Sequence, residues 1–542
     1  MTTPQTIRAT SDTRSLLNAL SKAFTNTTTF IGELLQNARR AGATLIHLNI
    51  GEGSLEITDN GLGIADFGAL LSVAISGWDE EVRETDSPYG MGFFAAIFAA
   101  KRIEVESRGA RVQATTADIL ALNNIPVEPV GRSRSITRIR LEGIDKDMGT
   151  LTRAAEILIQ GFPIPVILNG TKVERRYAAG VVDLVKTRYG MASPEVALGT
   201  KVGRLYLQGL PIKTSDWKGA GFGSGVIHLD PKQYEGRMPD RDTLCNQEES
   251  FARLQAQMAD EAIERLTTLS RQMPPDTFIA SYGEQLRRLG ADALLNSFDY
   301  VPGEWIATHT EIPRKQPSWE DQTPEPRNGA VARSELGAHI YGAATGDLAA
   351  QHLLAANDKF VVAGMIPPKH WASDMIVHLA GDEIACEPGE LLASEEVEID
   401  YDTYTVQLVA SIDLVLPNPV PGLPRRTRVP CYGVSIHECS RVDAGRLYVT
   451  PEMLECIEVL LYQIADFEDE HGSFSDESWD ASALRLRATL KAMGSTDASQ
   501  LLTDLLNGSL PYVTPKMLRG RTFGLCFDDK GKLQVQAQPE AA

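Results

Sequence analysis

Apolar residues recur at helical spacing near the start of the chain. Leu16, Leu17, Leu20 and Phe24 share one side of a helix predicted over 12–26. A second helix is predicted over 30–43, FIGELLQNARRAGA. There Phe30, Ile31, Leu34, Leu35, Ala38 and Ala41 form one apolar stripe, and Gly42 closes it as a left-handed cap. The period then drops to two. Ile46, Leu48 and Ile50 alternate with polar residues in a strand over 44–50. The turn Gly51-Glu52-Gly53 leads to a second strand over 54–58, so the pair reads as a hairpin. Further on, the pattern predicts a helix and then a charged loop over 65–88, strands over 102–107 and 135–141, a helix over 150–161, and a strand and turn over 162–170.

This first domain is expected to span 1–178. Short alternating strands, RLYLQGLPI and GVIHLD, flank a glycine-rich loop, and a long helix follows over 247–272. They mark an α+β domain over 179–310. Pro313, Pro317, Pro324 and Pro326 lie among polar residues, which makes 311–335 the expected linker. Beyond it, 336–542 reads as a C-terminal α+β region. It has strands at 359–364 and 404–416, helices at 451–466 and 480–506, and a solvated acidic loop between those helices.

Composition narrows the function classes. The 52 basic and 72 acidic residues give a net charge of -20, which argues against a broad unspecific grip on nucleic acid. The cysteines at 245, 386, 431, 439, 456 and 526 include no CxxC pair, so neither a zinc ribbon nor a disulfide scaffold is indicated. No apolar run approaches the ~20 residues of a membrane helix. The N-terminal residues lack a signal-peptide core. The expectation is a soluble, cytoplasmic protein with no membrane partner.

Three motifs carry candidate chemistry. Glu33 and Asn37 stand one turn apart on one face of the second helix, an arrangement suited to holding a metal and a water together. Asp59-Asn60-Gly61-Leu62-Gly63 ends the second strand, where two glycines let the backbone approach a ligand and Asp59 can accept from an amino group. Gly90-Met91-Gly92-Phe93 runs into an apolar helix and presents backbone N–H groups, a ready anion site. Taken singly, each also reads as an ordinary turn or core helix.

The order of these motifs, followed by Thr137-Arg138-Ile139, resembles the GHKL ATPase superfamily over 12–170. That superfamily comprises gyrase-type topoisomerases, ninety-kilodalton heat-shock chaperones, histidine kinases and MutL-type repair proteins. AGAT at 41–44 with DNGLGI looks like MutL, and Ser76-Gly77 with YGMGFFAA looks like the chaperones. The resemblance implies a Bergerat-type fold, a two-layer α/β sandwich, followed by a transducer-like α+β middle domain. It implies ATP and Mg²⁺ as ligands. Glu33 would be the general base and Asn37 the magnesium ligand. Asp59 would accept from adenine with support from Thr137. Gly61 and Gly63 would admit the base and ribose, Ser76 would line the nucleotide site, and Gly90, Gly92 and Phe93 would hold phosphate. Residues 79–88 would form the lid. A cation from the second domain would reach the γ-phosphate; Arg241 matches best, with Arg237 and Lys232 as rivals.

Two positions depart from the family pattern. Arg40 stands where an Asp usually follows the Asn, and Ile136 where a Gly usually precedes the Thr. Arg40 either weakens magnesium binding or touches a phosphate. The function implied is an ATP-hydrolysing conformational switch, chaperone-like or MutL-like, with a nucleotide-dependent homodimer and a partner on the C-terminal half. A DNA-processing or repair protein is the alternative. Its only sequence support is Asp400-Tyr401-Asp402 and the basic cluster RRTR at 425–428, and MutL's DQHAxxER is absent. A histidine kinase would need a phosphoacceptor helix ahead of this domain, and none is visible.

Overall fold

The computed structural model describes residues 12–23, 29–72, 92–131, 136–215, 217, 219–221, 224–238, 240–308, 325–343, 348–379, 384–400, 402–429, 433–435, 446–451, 460–461, 464, 467, 473–495, 497, 499, 523–527 and 533–537. Two compact units emerge, one of residues 1–273 with 288–291, the other of 274–287 with 292–542.

The first unit opens with α1 (Thr13–Ala23) and α2 (Thr29–Arg40). Gly42 takes φ +70, so α2 ends where a left-handed residue is needed. Strands β1 (Ile46–Gly51) and β2 (Ser54–Asp59) pair antiparallel around the Gly51–Gly53 turn, as the alternation predicts. There follow α3 (Phe67–Leu70), α4 (Gly92–Ala99), β3 (Arg102–Ser107), β4 (Ala110–Thr115), α5 (Thr116–Leu120), β5 (Val127–Pro129), β6 (Thr137–Glu142), α6 (Met148–Ile159), β7 (Val166–Leu168) and β8 (Thr171–Lys172). The strands form one sheet in the order β5-β4-β3-β6-β2-β1-β7-β8. It is mixed, because β7 runs parallel to β1 while β2 runs antiparallel to both β1 and β6.

Burial alternates along β1, β2, β3 and β6, so one face of the sheet is apolar and the other is more open to solvent. On the apolar face α2, α4 and α6 share one core with Ile46, Leu48, Ile57, Val105 and Leu141. The result is a two-layer α/β sandwich. The helix expected within 65–88 is one turn, Phe67–Leu70, in its described part; the rest of that stretch lies outside the described residues.

A second sheet, in the order β12-β11-β13-β10-β9, is built from β9 (Val185–Thr187), β10 (Gly190–Ala192), β11 (Arg204–Leu207), β12 (Leu210–Pro211) and β13 (Val226–Leu229). Its own core joins Tyr189, Leu205, Ile227 and Leu229 to Phe251, Leu254 and Met258 of the long helix Gln247–Ser270. The two sheets meet closely. Leu210 belongs to the core of the first sandwich, and a Cβ on Gly161, just after α6, would lie 2.2 Å from the buried Tyr206 ring.

The second unit holds several small sheets. Ile306–Thr308, Ile340–Ala343, Phe360–Val362 and Ile376–Leu379 belong to one. Of the expected linker, 311–324 lies outside the described residues. Glu325–Pro326 pairs with Ala307–Thr308, and Ala330–Ala332 with Tyr300–Pro302. Proline at the end of a short edge strand leaves such pairing possible, so proline content did not mark a free segment there. The single strand expected over 404–416 is two, Asp402–Val409 and Ile412–Val415, which enter different sheets. Helix Asp476–Gly494 packs Leu486 and Leu490 on Val397, Ile399 and Val406.

Gly161→Ala is expected to destabilise the first unit by about 1–3 kcal/mol, because the added methyl overlaps a stacked, enclosed tyrosine ring. Thermal unfolding of the variant beside the wild type measures it; an unchanged midpoint would mean that the two sheets do not meet through Tyr206.

Candidate functional site

Helix α2 turns an unusual set of polar groups inward. Glu33 is 3% exposed and Gln36 fully buried, although both lie among Ile31, Leu34 and Leu35. Groups of this kind stay inside only when partnered. Gln36 Nε2 donates to the carbonyl of Gln208 at 2.9 Å, and Gln36 Oε1 accepts from Arg39 Nε at 2.7 Å. Gln208 and Gly209 both have positive φ, the signature of the tight two-residue hairpin turn joining β11 to β12. That turn thereby docks on α2.

Glu33 meets Arg241. The Nε of Arg241 lies 2.9 Å from Glu33 Oε1, with the two side chains 10% and 3% exposed. The contact is charge against charge rather than an aligned hydrogen bond. Arg241 sits on a loop closed by the bridge between Gly236 and Leu244 and by the bond from Arg237 N to Thr243 O at 2.8 Å. Its own φ is +55, a conformation that costs a non-glycine residue about 1–3 kcal/mol. Next to it, Asp240 accepts from Thr29 Oγ1 at 2.6 Å and fastens the loop to the start of α2. The rivals Arg237 and Lys232 are exposed.

The other carboxylate oxygen, Glu33 Oε2, is buried without a hydrogen-bond partner among the described residues. It lies over Gly92, the first residue of α4; a Cβ there would be 1.9 Å from it. So Gly92 is brought to Glu33, with Phe93 buried behind it. Ser76, Gly90 and the expected lid at 79–88 lie outside the described residues.

One turn beyond Glu33, Asn37 Oδ1 accepts from Arg40 Nη1 at 3.2 Å. This is the oxygen that the family resemblance would give to magnesium. A guanidinium already occupies it, and a hard cation would have to settle against that positive charge. Magnesium at this oxygen would need Arg40 to turn away from Asn37. No group of three or more His, Cys, Asp or Glu that could hold a metal occurs among the described residues.

Just past the end of α2, at Ala41, the second half of the site begins. Leu62 N donates to Ala41 O at 2.8 Å, and Gly61 is so close that a Cβ would lie 2.7 Å from the same carbonyl. Only glycine allows this approach. Asp59, 7% exposed, accepts from Gly61 N at 2.9 Å through Oδ1. Burial raises its pKa above the ordinary carboxylate value, and the Gly61 bond offsets part of that rise. Register places Asp59 opposite Thr137, and Thr137 opposite Ser107, on three neighbouring strands. The hydroxyls of Ser107 and Thr137 bond at 3.2 Å, and Ser107 Oγ accepts from Ile64 N at 2.9 Å. Gly63, at φ +76, passes so near Ser107 Oγ that a Cβ would stand at 2.8 Å.

Ser107, Asp240, Gln36 and Gln208 had no sequence signal of their own. Ser107 follows from the register once Thr137 is suspected; the other three depend on which loop reaches α2.

From Glu33 to Ala41 the helix rises about 12 Å at 1.5 Å per residue. A ligand along it would have an amino-accepting carboxylate at one end and a buried carboxylate, a guanidinium and a glycine-led helix at the other. Residues 25–142 match the family described as "Histidine kinase-, DNA gyrase B-, and HSP90-like ATPase". No curated protein matches the chain.

Gly92→Ala tests the arrangement. Helix propensity alone would favour alanine by up to about 1 kcal/mol. Glu33 must shift to avoid the new methyl, which disturbs its contact with Arg241, so a net loss of about 1–3 kcal/mol is expected in chemical unfolding. A gain in stability would show that Glu33 and Gly92 are not apposed.

Proposed function

Residues 25–142 form a GHKL-type ATPase domain, and from that premise we propose that this chain is an ATP-hydrolysing conformational switch in which Arg241 signals the state of the nucleotide. The observation that carries the reading is the buried contact between Glu33 and Arg241. It joins the domain that binds the nucleotide to the loop that follows the second sheet.

In this reading adenine takes the end of the site at Asp59, whose carboxylate accepts the amino group. Thr137 and Ser107 line the same edge, and Gly61 and Gly63 leave room for the base and ribose. The phosphates reach toward Gly92, where the free N–H groups at the start of α4 attract anions. Glu33 Oε2 then takes a proton from the attacking water as its oxygen bonds to the γ-phosphorus and the bond to the leaving ADP breaks. Arg241 faces a choice between two anions. Without nucleotide it rests on Glu33. The γ-phosphate carries more charge than a carboxylate and suits the planar guanidinium, so it draws Arg241 across and frees the base. When phosphate leaves, Arg241 returns.

The second unit then engages a partner, and a protein partner suits it better than DNA. Arg426 pairs with Glu387 and Asp413, and Arg428 with Asp413, so those two arginines of the basic cluster are largely neutralised. Asp400 sits at positive φ between strands 391–399 and 402–409, and its Oδ1 accepts from Ser478 Oγ at 2.6 Å. It serves a turn and a contact with the helix Asp476–Gly494 rather than a metal centre. No helix among the described residues is long and apolar enough to cross a membrane.

Glu33→Gln keeps shape and removes the base. It is expected to retain binding of a non-hydrolysable ATP analogue while hydrolysis falls by about 10²-fold or more. Turnover at the wild-type rate, followed by phosphate release, would dismiss Glu33 as base. Arg241→Ala should slow hydrolysis with little loss of affinity; a normal rate would remove the proposed signal. Nucleotide affinity should also depend on pH. Asp59 must be ionised to accept from adenine, so affinity is full above its raised pKa and declines as pH falls through it. The decline should begin at a higher pH than an exposed aspartate would give, and a flat titration down to that range would exclude the contact.

A further inference from the structure

We propose that Ser107 is a positioning residue for the choice of base: it turns the hydroxyl proton of Thr137 toward the ligand, so that a donor stands beside the acceptor Asp59. The inference rests on the nucleotide reading above and deepens it.

The three residues form one row across the sheet. Asp59 ends β2, Thr137 begins β6 and Ser107 ends β3. Pairing sets Asp59 opposite Thr137, and Thr137 opposite Ser107. Side chains directly opposite one another project to the same face, here the face of Ile57, Ile139 and Val105 that packs on the helices. Asp59, Thr137 and Ser107 are 7, 5 and 1% exposed.

A hydroxyl has one proton to give, so the bonds of Ser107 decide which way the chain of hydroxyls runs. Ser107 Oγ accepts from Ile64 N at 2.9 Å and lies 3.2 Å from Thr137 Oγ1. The Ile64 N–H comes this close because the residue before it is glycine; a Cβ on Gly63 would stand 2.8 Å from Ser107 Oγ. Suppose Thr137 gave its proton to Ser107. The Ser107 proton would then have no acceptor among the described residues, on a side chain shut off from water. A buried donor left unmade disfavours that arrangement by about tenfold or more. With the direction reversed, Ser107 accepts from Ile64, donates to Thr137 and is fully engaged. The proton of Thr137 is then the one that is presented outward.

Asp59, when ionised, can only accept, and its Oδ1 already takes Gly61 N. Neighbouring strands thus offer an acceptor and a donor. Adenine carries the complement along one edge, an amino N–H beside the unprotonated ring nitrogen N1. At the same edge guanine carries the reverse, a carbonyl beside an N–H. A bridging water keeps this polarity: accepting from Thr137, it retains both protons for Asp59 and N1.

The test is calorimetric titration of the full chain with ADP and with 1-deaza-ADP, in which C–H replaces the ring nitrogen N1. Wild-type protein should bind 1-deaza-ADP about tenfold or more weakly than ADP. Ser107→Ala leaves the Thr137 hydroxyl free to turn and should reduce that ratio to about threefold or less. A merely structural role for Ser107 would weaken both ligands alike, so an unchanged ratio in the variant would overturn the proposal. So would equal wild-type affinities for the two ligands, a result that needs no variant to fold. Wild-type protein that binds neither would instead overturn the ATP reading itself.

Discussion

The structure of the first unit turns on a carboxylate that cannot be alone. Glu33 is enclosed by apolar neighbours, and removing such a charge from water costs on the order of several kcal/mol. Arg241 compensates it, itself nearly enclosed. A pair of this kind adds little net stability over an apolar pair of the same size. What it gives is conditionality. Each partner is held by the other.

The loop that carries Arg241 is itself braced. Asp240 ties it to Thr29, and Arg241 adopts a left-handed backbone that an ordinary surface loop would not need. The β11–β12 turn is fastened to Gln36 about two turns farther along the same helix. Helix α2 therefore belongs to two sheets at once. It presents chemistry to one side and receives the second domain on the other, so a change at Glu33 has a short path to the loop of Arg241.

Charge is distributed unevenly in this protein. The whole chain carries -20, yet α2 has Arg241 on Glu33 and Arg40 on Asn37 along one face. In the second unit Arg426 and Arg428 are absorbed by Asp413 and Glu387. The exposed cluster that suggested a nucleic-acid surface is thus largely neutralised at Arg426 and Arg428.

Local pattern was enough for part of this. The stripe of α2, the alternation of β1 and β2, the cap at Gly42 and the closeness forced on Gly61 and Gly63 all follow from periodicities and backbone rules acting over a few residues, so they were legible in the residues alone. The facing of Glu33 and Asn37 was legible for the same reason. Long-range pairing was not. Arg237, Arg241 and Lys232 are indistinguishable by sequence, because which of them reaches Glu33 depends on where a loop some two hundred residues away is folded back. Ser107 enters only through strand register. Arg40 could be seen as an anomaly, but its bond to Asn37 depends on the rotamers that packing around α2 allows. Sequence determined which groups one helix would turn inward; the tertiary fold decided which partners meet them there, since the energy of a buried charge is set by its neighbours in space rather than along the chain.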